Sequence, residues 1–266
     1  MRTSLAGYAA IGRMQARTVM RYRVDYVAGL VRLLFQILLL RVVWEAIYAG
    51  RTMVDGVPFS VTITYLTLGN LQNWLFSPWV FSLIPERVRD GLVGIDLTRP
   101  VNFLGHVVAS QVGRTAAMAP FAVVALPFAG FVGGAQPPSS PGVIIAYVVS
   151  LALGYCVITI LSALVGLITF WTLELDGLFL VYRMAVQFLS GALVPLWFMP
   201  DALRIVVEIL PLQAVMHTPT AIYLGRMHSG DVVMAMAVQV LWVVVLWFAA
   251  RLVWSRAIRR MVVQGG

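Results

Sequence analysis

Beyond its first two dozen residues, this sequence is a succession of apolar runs, most of them long enough to cross a lipid bilayer. A spanning helix needs roughly 20 consecutive apolar residues. Six windows meet that requirement: residues 24–48, 57–84, 103–134, 142–171, 178–199 and 232–254. Inside hydrocarbon every backbone N–H and C=O must find its partner within the protein, so runs of this length are expected to be helices. The expected fold is therefore all-α: a polytopic membrane protein with six transmembrane helices in one domain, residues 1–266. No polar stretch between the runs is long enough to fold alone. The chain is 61% hydrophobic and only 11% charged, far from the balance of a soluble domain.

The few charges are informative. All 19 basic residues are arginine, and lysine is absent. A phosphate-binding loop of the G-x-x-x-x-G-K-[ST] type requires its lysine. Any ATPase acting with this chain is thus expected to be a separate polypeptide, with ATP and its magnesium bound there and no cofactor bound here. The arginines also set orientation through the positive-inside rule. Twelve fall in the N-terminal stretch, in segment 85–100 and in the C-terminal tail, against three (Arg51, Arg204 and Arg226) in the loops of the opposite side. Both termini and segment 85–100 are therefore expected in the cytoplasm, in a multi-pass protein of the plasma membrane. The net charge of +8 is explained by topology, so nucleic acid is not an expected partner. The one cysteine, Cys156, lies in the fourth run and cannot form an intrachain disulfide. No H-E-x-x-H, G-x-S-x-G or paired Asp/His motif is present, so neither a catalytic nor a metal site is expected.

Polar residues inside the runs need partners. In segment 1–23, Leu5, Tyr8, Ala9, Ile11, Gly12, Val19 and Tyr22 can share one side of a helix, opposite Arg13, Arg17 and Arg21. This is the pattern of a helix lying in the lipid interface, acting as an anchor or as an elbow that transmits movement. Arg41 and Glu45, one turn apart in the first run, are expected to pair. In the second run Asn70, Asn73, Trp74 and Ser77 form one stripe, and Arg183, Gln187 and Ser190 form another in the fifth. Such stripes face protein or a wet cavity: interhelical glue is one reading, a shared substrate pathway the other. Segment 195–225 is too apolar for a free loop and too broken by Pro195, Pro200, Pro211 and Pro219 for a span. Short re-entrant outer helices are expected there, one of them capped by Asp201 with Leu203, Val206, Val207 and Leu210 on its apolar side.

Between the second and third runs sits a charged island bounded by Pro85 and Pro100. Glu86, Arg87, Arg89, Asp90, Asp96 and Arg99 place six of the chain's thirty charges in sixteen residues. Charges at this density cannot lie in hydrocarbon, so the island belongs on one membrane surface. Helical spacing would pair Glu86 with Arg89 and Arg87 with Asp90.

Two motifs in this frame carry a family resemblance. One is Arg89, Gly91, Leu97, Thr98, Arg99, Pro100 and Val101 after the second run. The other is Ser190, Gly191, Pro195, Leu196, Pro200, Leu203, Leu210, Pro211 and Pro219 around the outer half of the fifth. With six spans, the chain resembles the permease subunits of ABC-2-type exporters. The resemblance implies a dimer with a second permease subunit, identical or homologous, above two cytoplasmic ABC ATPase subunits. It implies that the island is the coupling helix, with Glu86, Arg87, Arg89, Asp90, Gly91 and Arg99 meeting the ATPase. It implies further that Asn70, Asn73, Trp74, Ser77, Arg183, Gln187 and Ser190 line the pathway, and that Pro195, Phe198, Met199 and Pro200 form the outer gate. The alternative is an ATP-independent secondary transporter or channel, which would favour an internal repeat and mid-span carboxylates; neither is evident.

Overall fold

A computed structural model describes residues 5–21, 23–76, 83–172 and 176–260. Tyr22, Ser77 and Glu174 lie outside the described residues. The chain forms α1 (Leu5–Arg21), α2 (Arg23–Tyr48), a two-stranded antiparallel hairpin of β1 (Met53–Val54) and β2 (Val57–Pro58), and α3 (Phe59–Phe76). Then follow α4 (Ile84–Arg89), α5 (Val93–Leu97), α6 (Phe103–Phe131), α7 (Pro141–Leu167), α8 (Thr169–Thr172) and α9 (Asp176–Leu189). A 3-10 turn at Leu196–Phe198 precedes α10 (Asp201–Ile209), α11 (His217–Tyr223) and α12 (Ser229–Ala257).

The helix starts are chemically marked. Asn102 accepts the Gly105 N–H at 3.2 Å to open α6, and Ser140 accepts the Val143 N–H at 3.3 Å to open α7, with Pro141 in the first turn. α6 continues through Pro120 and Pro127 to Phe131.

Among the described residues, four helices are long and apolar enough to cross a membrane: Val24–Tyr48, Phe103–Phe131, Pro141–Thr172 and Ser229–Arg260. Two of the six expected runs are corrected. The fifth does not continue to residue 199: its helix stops at Leu189 after 14 residues, roughly 21 Å at about 1.5 Å each. Gly191, at φ +83°, turns the chain into the left-handed region there, and Pro195 follows. The second begins at Phe59, because Val57 and Pro58 belong to the hairpin.

α3 is the axis of the fold. Every residue from Thr62 to Trp74 is buried, so this polar helix is enclosed by protein rather than lipid. It runs antiparallel to α2: Tyr48 Oη lies 2.8 Å from Thr62 Oγ1, and a Cβ on Gly29 would come 3.3 Å from Trp74 Nε1. Its hydroxyls are used to tie helices together. The Thr67 hydroxyl donates to the Gly133 carbonyl at 3.0 Å, and Thr64 Oγ1 accepts from the Gln136 backbone at 3.0 Å. Gln72 Nε2 donates to Tyr147 of α7 and to Thr220 of α11, both at 3.1 Å. By contrast, the outer faces of α2, α6 and α12 expose Phe35, Val124 and Phe248. Apolar surface on that scale suits a lipid solvent.

The N-terminal helix is docked against the bundle. α1 packs along the first half of α6 in the same direction, with Tyr8 over Gly105 and Gly12 in backbone contact with Gly113. The Asn102 N–H donates to Tyr8 Oη at 3.1 Å. Leu5, expected on the apolar side, is 87% exposed, whereas Val19 is buried.

Candidate functional site

The island folds as two short helices rather than one. α4 ends in a glycine cap: Leu92 N–H bonds Arg87 O at 2.9 Å and Gly91 N–H bonds Val88 O at 3.2 Å, with Gly91 at φ +68°. That pair of bonds is the Schellman arrangement, which favours glycine at the left-handed position. α5 then turns back, and Thr98 Oγ1 donates to Ile95 O at 2.8 Å. Ile84 and Val93 are buried and key the unit into the core formed with Phe76, Phe103 and Leu167.

Its charges are arranged differently from the helical-spacing expectation. No ion pair joins Glu86 to Arg89 or Arg87 to Asp90 among the described residues. Instead two arginines converge on Asp96, whose side chain is fully buried: Arg87 Nε lies 3.5 Å from Oδ2 and Arg99 Nη1 3.5 Å from Oδ1. A continuous helix would have placed Arg87 and Asp96 nine residues apart along its axis; the turn at Gly91 brings them together. His106, buried at the start of α6, lies within electrostatic reach of all three. Arg87 and Arg99 therefore act inside the unit, while Glu86, Arg89, Asp90 and Gly91 are exposed together with Ile95, which is 57% exposed. The sequence counts Asp96 among the island's charges without pointing to its role or to Ile95; the i,i+3 spacing of Asp96 and Arg99 was the available signal.

The Phe103 and Trp254 rings stack at 4.4 Å, so the island, the start of α6 and the end of α12 share the arginine-rich pole. A family model described as ABC-2 family transporter protein matches residues 30–265. The chain belongs to that family. No curated protein and no solved structure matches it.

At the opposite pole of this ABC-2 chain, the segment after α9 closes over α2 and α3 through an aromatic cluster. Trp197 meets Tyr65 edge-on at 4.7 Å, Phe198 lies 5.2 Å from Trp44, and His217 Nδ1 lies 3.1 Å from Tyr65 Oη. The Arg226 guanidinium sits over the Trp197 ring at 5.4 Å. A Cβ on Gly191 would collide with the Tyr65 hydroxyl and the Leu196 side chain, which explains the Ser190-Gly191 step. Pro195 and Met199 are buried and Pro200 is exposed. Asp201 is not the expected cap: Pro200 occupies that position without a side-chain bond, and Asp201 pairs with Arg204 at 3.2 Å. Val206 is 52% exposed, so the buried face of α10 is Leu203 and Val207 without it.

Five of the ABC-2 chain's stripe residues are enclosed by the chain's own helices. Asn70, Asn73 and Trp74 on α3, and Gln187 with Ser190, are all buried. The Asn70 amide donates to Leu66 O on its own helix at 2.7 Å. Arg183 lies within electrostatic reach of Arg32 on α2. Asn73 Oδ1 and Ser190 Oγ are buried without a hydrogen bond among the described residues. α9 is held chiefly by side chains, including Tyr182 Oη to Ser162 Oγ at 3.0 Å and Val186 in the core. Gln239, unremarked in the sequence, proves central. Its Oε1 accepts from the Ser150 hydroxyl at 2.9 Å, and its Nε2 donates to the carbonyls of Ala214 at 2.7 Å and Ser150 at 3.0 Å.

Proposed function

We propose that the chain is the transmembrane permease subunit of an ATP-binding-cassette exporter. It works as a dimer with a second permease subunit and is driven by two separate ABC ATPase subunits. The observation that carries this reading is the island: a compact two-helix unit, keyed into the core by Ile84 and Val93, whose outward face is charged around one exposed isoleucine. A loop that served only to fix topology would have no use for a carboxylate buried between two arginines. In the proposed mechanism, Glu86, Arg89, Asp90, Gly91 and Ile95 meet the ATPase, and Arg87 and Arg99 keep the unit stiff through Asp96. ATP and magnesium stay on the partner, consistent with a chain that lacks lysine. The arginine-rich pole faces the cytoplasm, with both termini, and the protein crosses the plasma membrane six times, α3 and α9 included.

Asn70, Asn73, Trp74, Ser77, Arg183, Gln187 and Ser190 line the pathway when it opens. Leaving Asn73 Oδ1 and Ser190 Oγ unbonded in the closed form costs about 1–3 kcal/mol each, which hydration of an open pathway would recover. Pro195, Phe198, Met199 and Pro200 form the gate over Tyr65 and Trp44. Membrane lipids surround the outer faces, and nucleic acid has no part. The test is the double substitution Arg89→Glu with Ile95→Glu. The expected result is loss of ATPase co-purification and of ATP-dependent transport, with the chain still inserted. Unchanged ATPase retention would overturn the docking role, and transport indifferent to ATP would favour the secondary-transporter reading.

A further inference from the structure

Beside the seam of α1 and α6, a groove of about 590 Å³ opens outward, within the roughly 300–1,000 Å³ of ligand clefts. Its origin is the small-residue contact itself. Because Gly12 and Gly113 touch through their backbones, Ala16, Ala109 and Ala116 leave the angle between the helices unfilled, and Trp247 of α12 forms the facing wall. Trp247 lies two turns before Trp254, which stacks on Phe103, so the groove occupies the arginine-rich pole of the bundle. Its charged lining is one-signed. Arg13 borders it, and the Arg251 guanidinium lies 5.9 Å from the centre of the Trp247 ring; no carboxylate lines it among the described residues. Arg13 spends only its Nε on the Ala9 carbonyl, at 3.4 Å, leaving its terminal nitrogens for an outside acceptor.

We propose that this groove is a binding site for one anionic phospholipid, an acyl chain filling the slot between α1, α6 and Trp247 and the headgroup phosphate bridging Arg13 and Arg251. The charge is the deciding observation. A slot lined largely by small apolar residues accepts any apolar chain, but Arg13 in its lining, Arg251 beside its Trp247 wall and no carboxylate among the described lining residues select a ligand with an apolar tail and a negative head. Guanidinium groups bind phosphate oxygens through paired N–H donors, and Trp247 is the amphipathic side chain expected at headgroup depth.

The test uses the full-length protein purified in detergent and mixed with phosphatidylglycerol or phosphatidylcholine, with bound lipids counted by native mass spectrometry. Phosphatidylglycerol should be retained in preference, and Arg13→Gln and Arg251→Gln should each lower that preference about fivefold. Ala116→Phe, at an exposed lining position, should fill the slot and reduce retention of both lipids. Equal retention of the two lipids by the unmodified chain, or a preference untouched by both arginine substitutions, would overturn the proposal. So would a dimer that Ala116→Phe dissociates while lipid retention stays constant, because the groove would then hold a helix of a second copy. The arginine substitutions keep the test decisive if Ala116→Phe fails to fold.

Discussion

The Arg87–Asp96–Arg99 cluster makes an asymmetric prediction. Removing a cation should cost more than removing the anion between them. Asp96 is fully buried, whereas the side chains of Arg87 and Arg99 are 24% and 37% exposed. Deleting one partner of a buried pair costs about 3–5 kcal/mol, because an uncompensated charge stays behind. In Arg87→Met that charge is a carboxylate with one remaining arginine at 3.5 Å, which reduces the expected cost to about 2 kcal/mol. In Asp96→Asn the groups left behind are arginines that can turn to water. The cost is then mainly a buried amide without a partner, about 1 kcal/mol. The double variant removes the stranded carboxylate, so the two effects should fall short of additive by about 1 kcal/mol. The island can be read locally: with Cys156→Ser as background, Val93→Cys places the sole thiol at a buried position of α5. Its labelling rate then reports the free energy of local opening. Additivity within about 0.3 kcal/mol, or a larger cost for Asp96→Asn than for Arg87→Met, would refute the reasoning.

Three further outcomes follow from the packing. Gly191→Ala meets both the positive φ of +83° and the Tyr65 hydroxyl, so thermal unfolding in detergent should show a loss of about 2–3 kcal/mol; Tyr65→Phe in the same chain should recover only part of it, since the backbone strain remains. Gly113→Ala should detach α1 and expose it to protease, because its Cβ would fall 2.6 Å from Gly12 Cα, whereas Gly130→Ala has open space and should stabilise α6 by about 0.5–1 kcal/mol. Gln239→Leu strands the Ser150 hydroxyl and the Ala214 carbonyl, and hydrogen exchange in α7 and α12 should accelerate to match a loss of about 2 kcal/mol.

What was legible in the sequence, and what was not, divides by the range of the interaction. The long helices declare themselves because hydrocarbon tolerates no unpaired backbone, so α2, α6, α7 and α12 appear where the apolar runs do. The Arg41–Glu45 pair, at 2.9 Å, is likewise a local matter of one helical turn. The island's charges look equally local, yet their pairing depends on a single left-handed glycine that folds α5 back under α4; spacing rules for an unbroken helix then name the wrong partners. The end of α9 shows the same limit. Its apolar composition continues to residue 199, but Gly191 and Pro195 end the helix at Leu189, and hydropathy does not register backbone conformation.

Polar residues inside the bundle show how ambiguous amphipathic stripes become once a helix is enclosed. On a helix with one wet side, Asn70, Asn73 and Trp74 would mark that side. α3 is instead buried all round, and the amide that ties its neighbours is Gln72, off the stripe, reaching Tyr147 and Thr220. Gln239 performs the same work between α7, α12 and the segment before α11. Both could be suspected only from the cost of an amide in an apolar run, which demands some partner and names none. Among the described residues, Asn73 Oδ1 on α3 and Ser190 Oγ just beyond α9 are two of the buried polar atoms without a hydrogen bond, whereas the seam of α7 and α12 carries the satisfied bonds of Gln239 with Ser150. Because α9 also depends on side-chain contacts more than on close backbone approach, a displacement of α9 should cost less than a separation of α7 from α12.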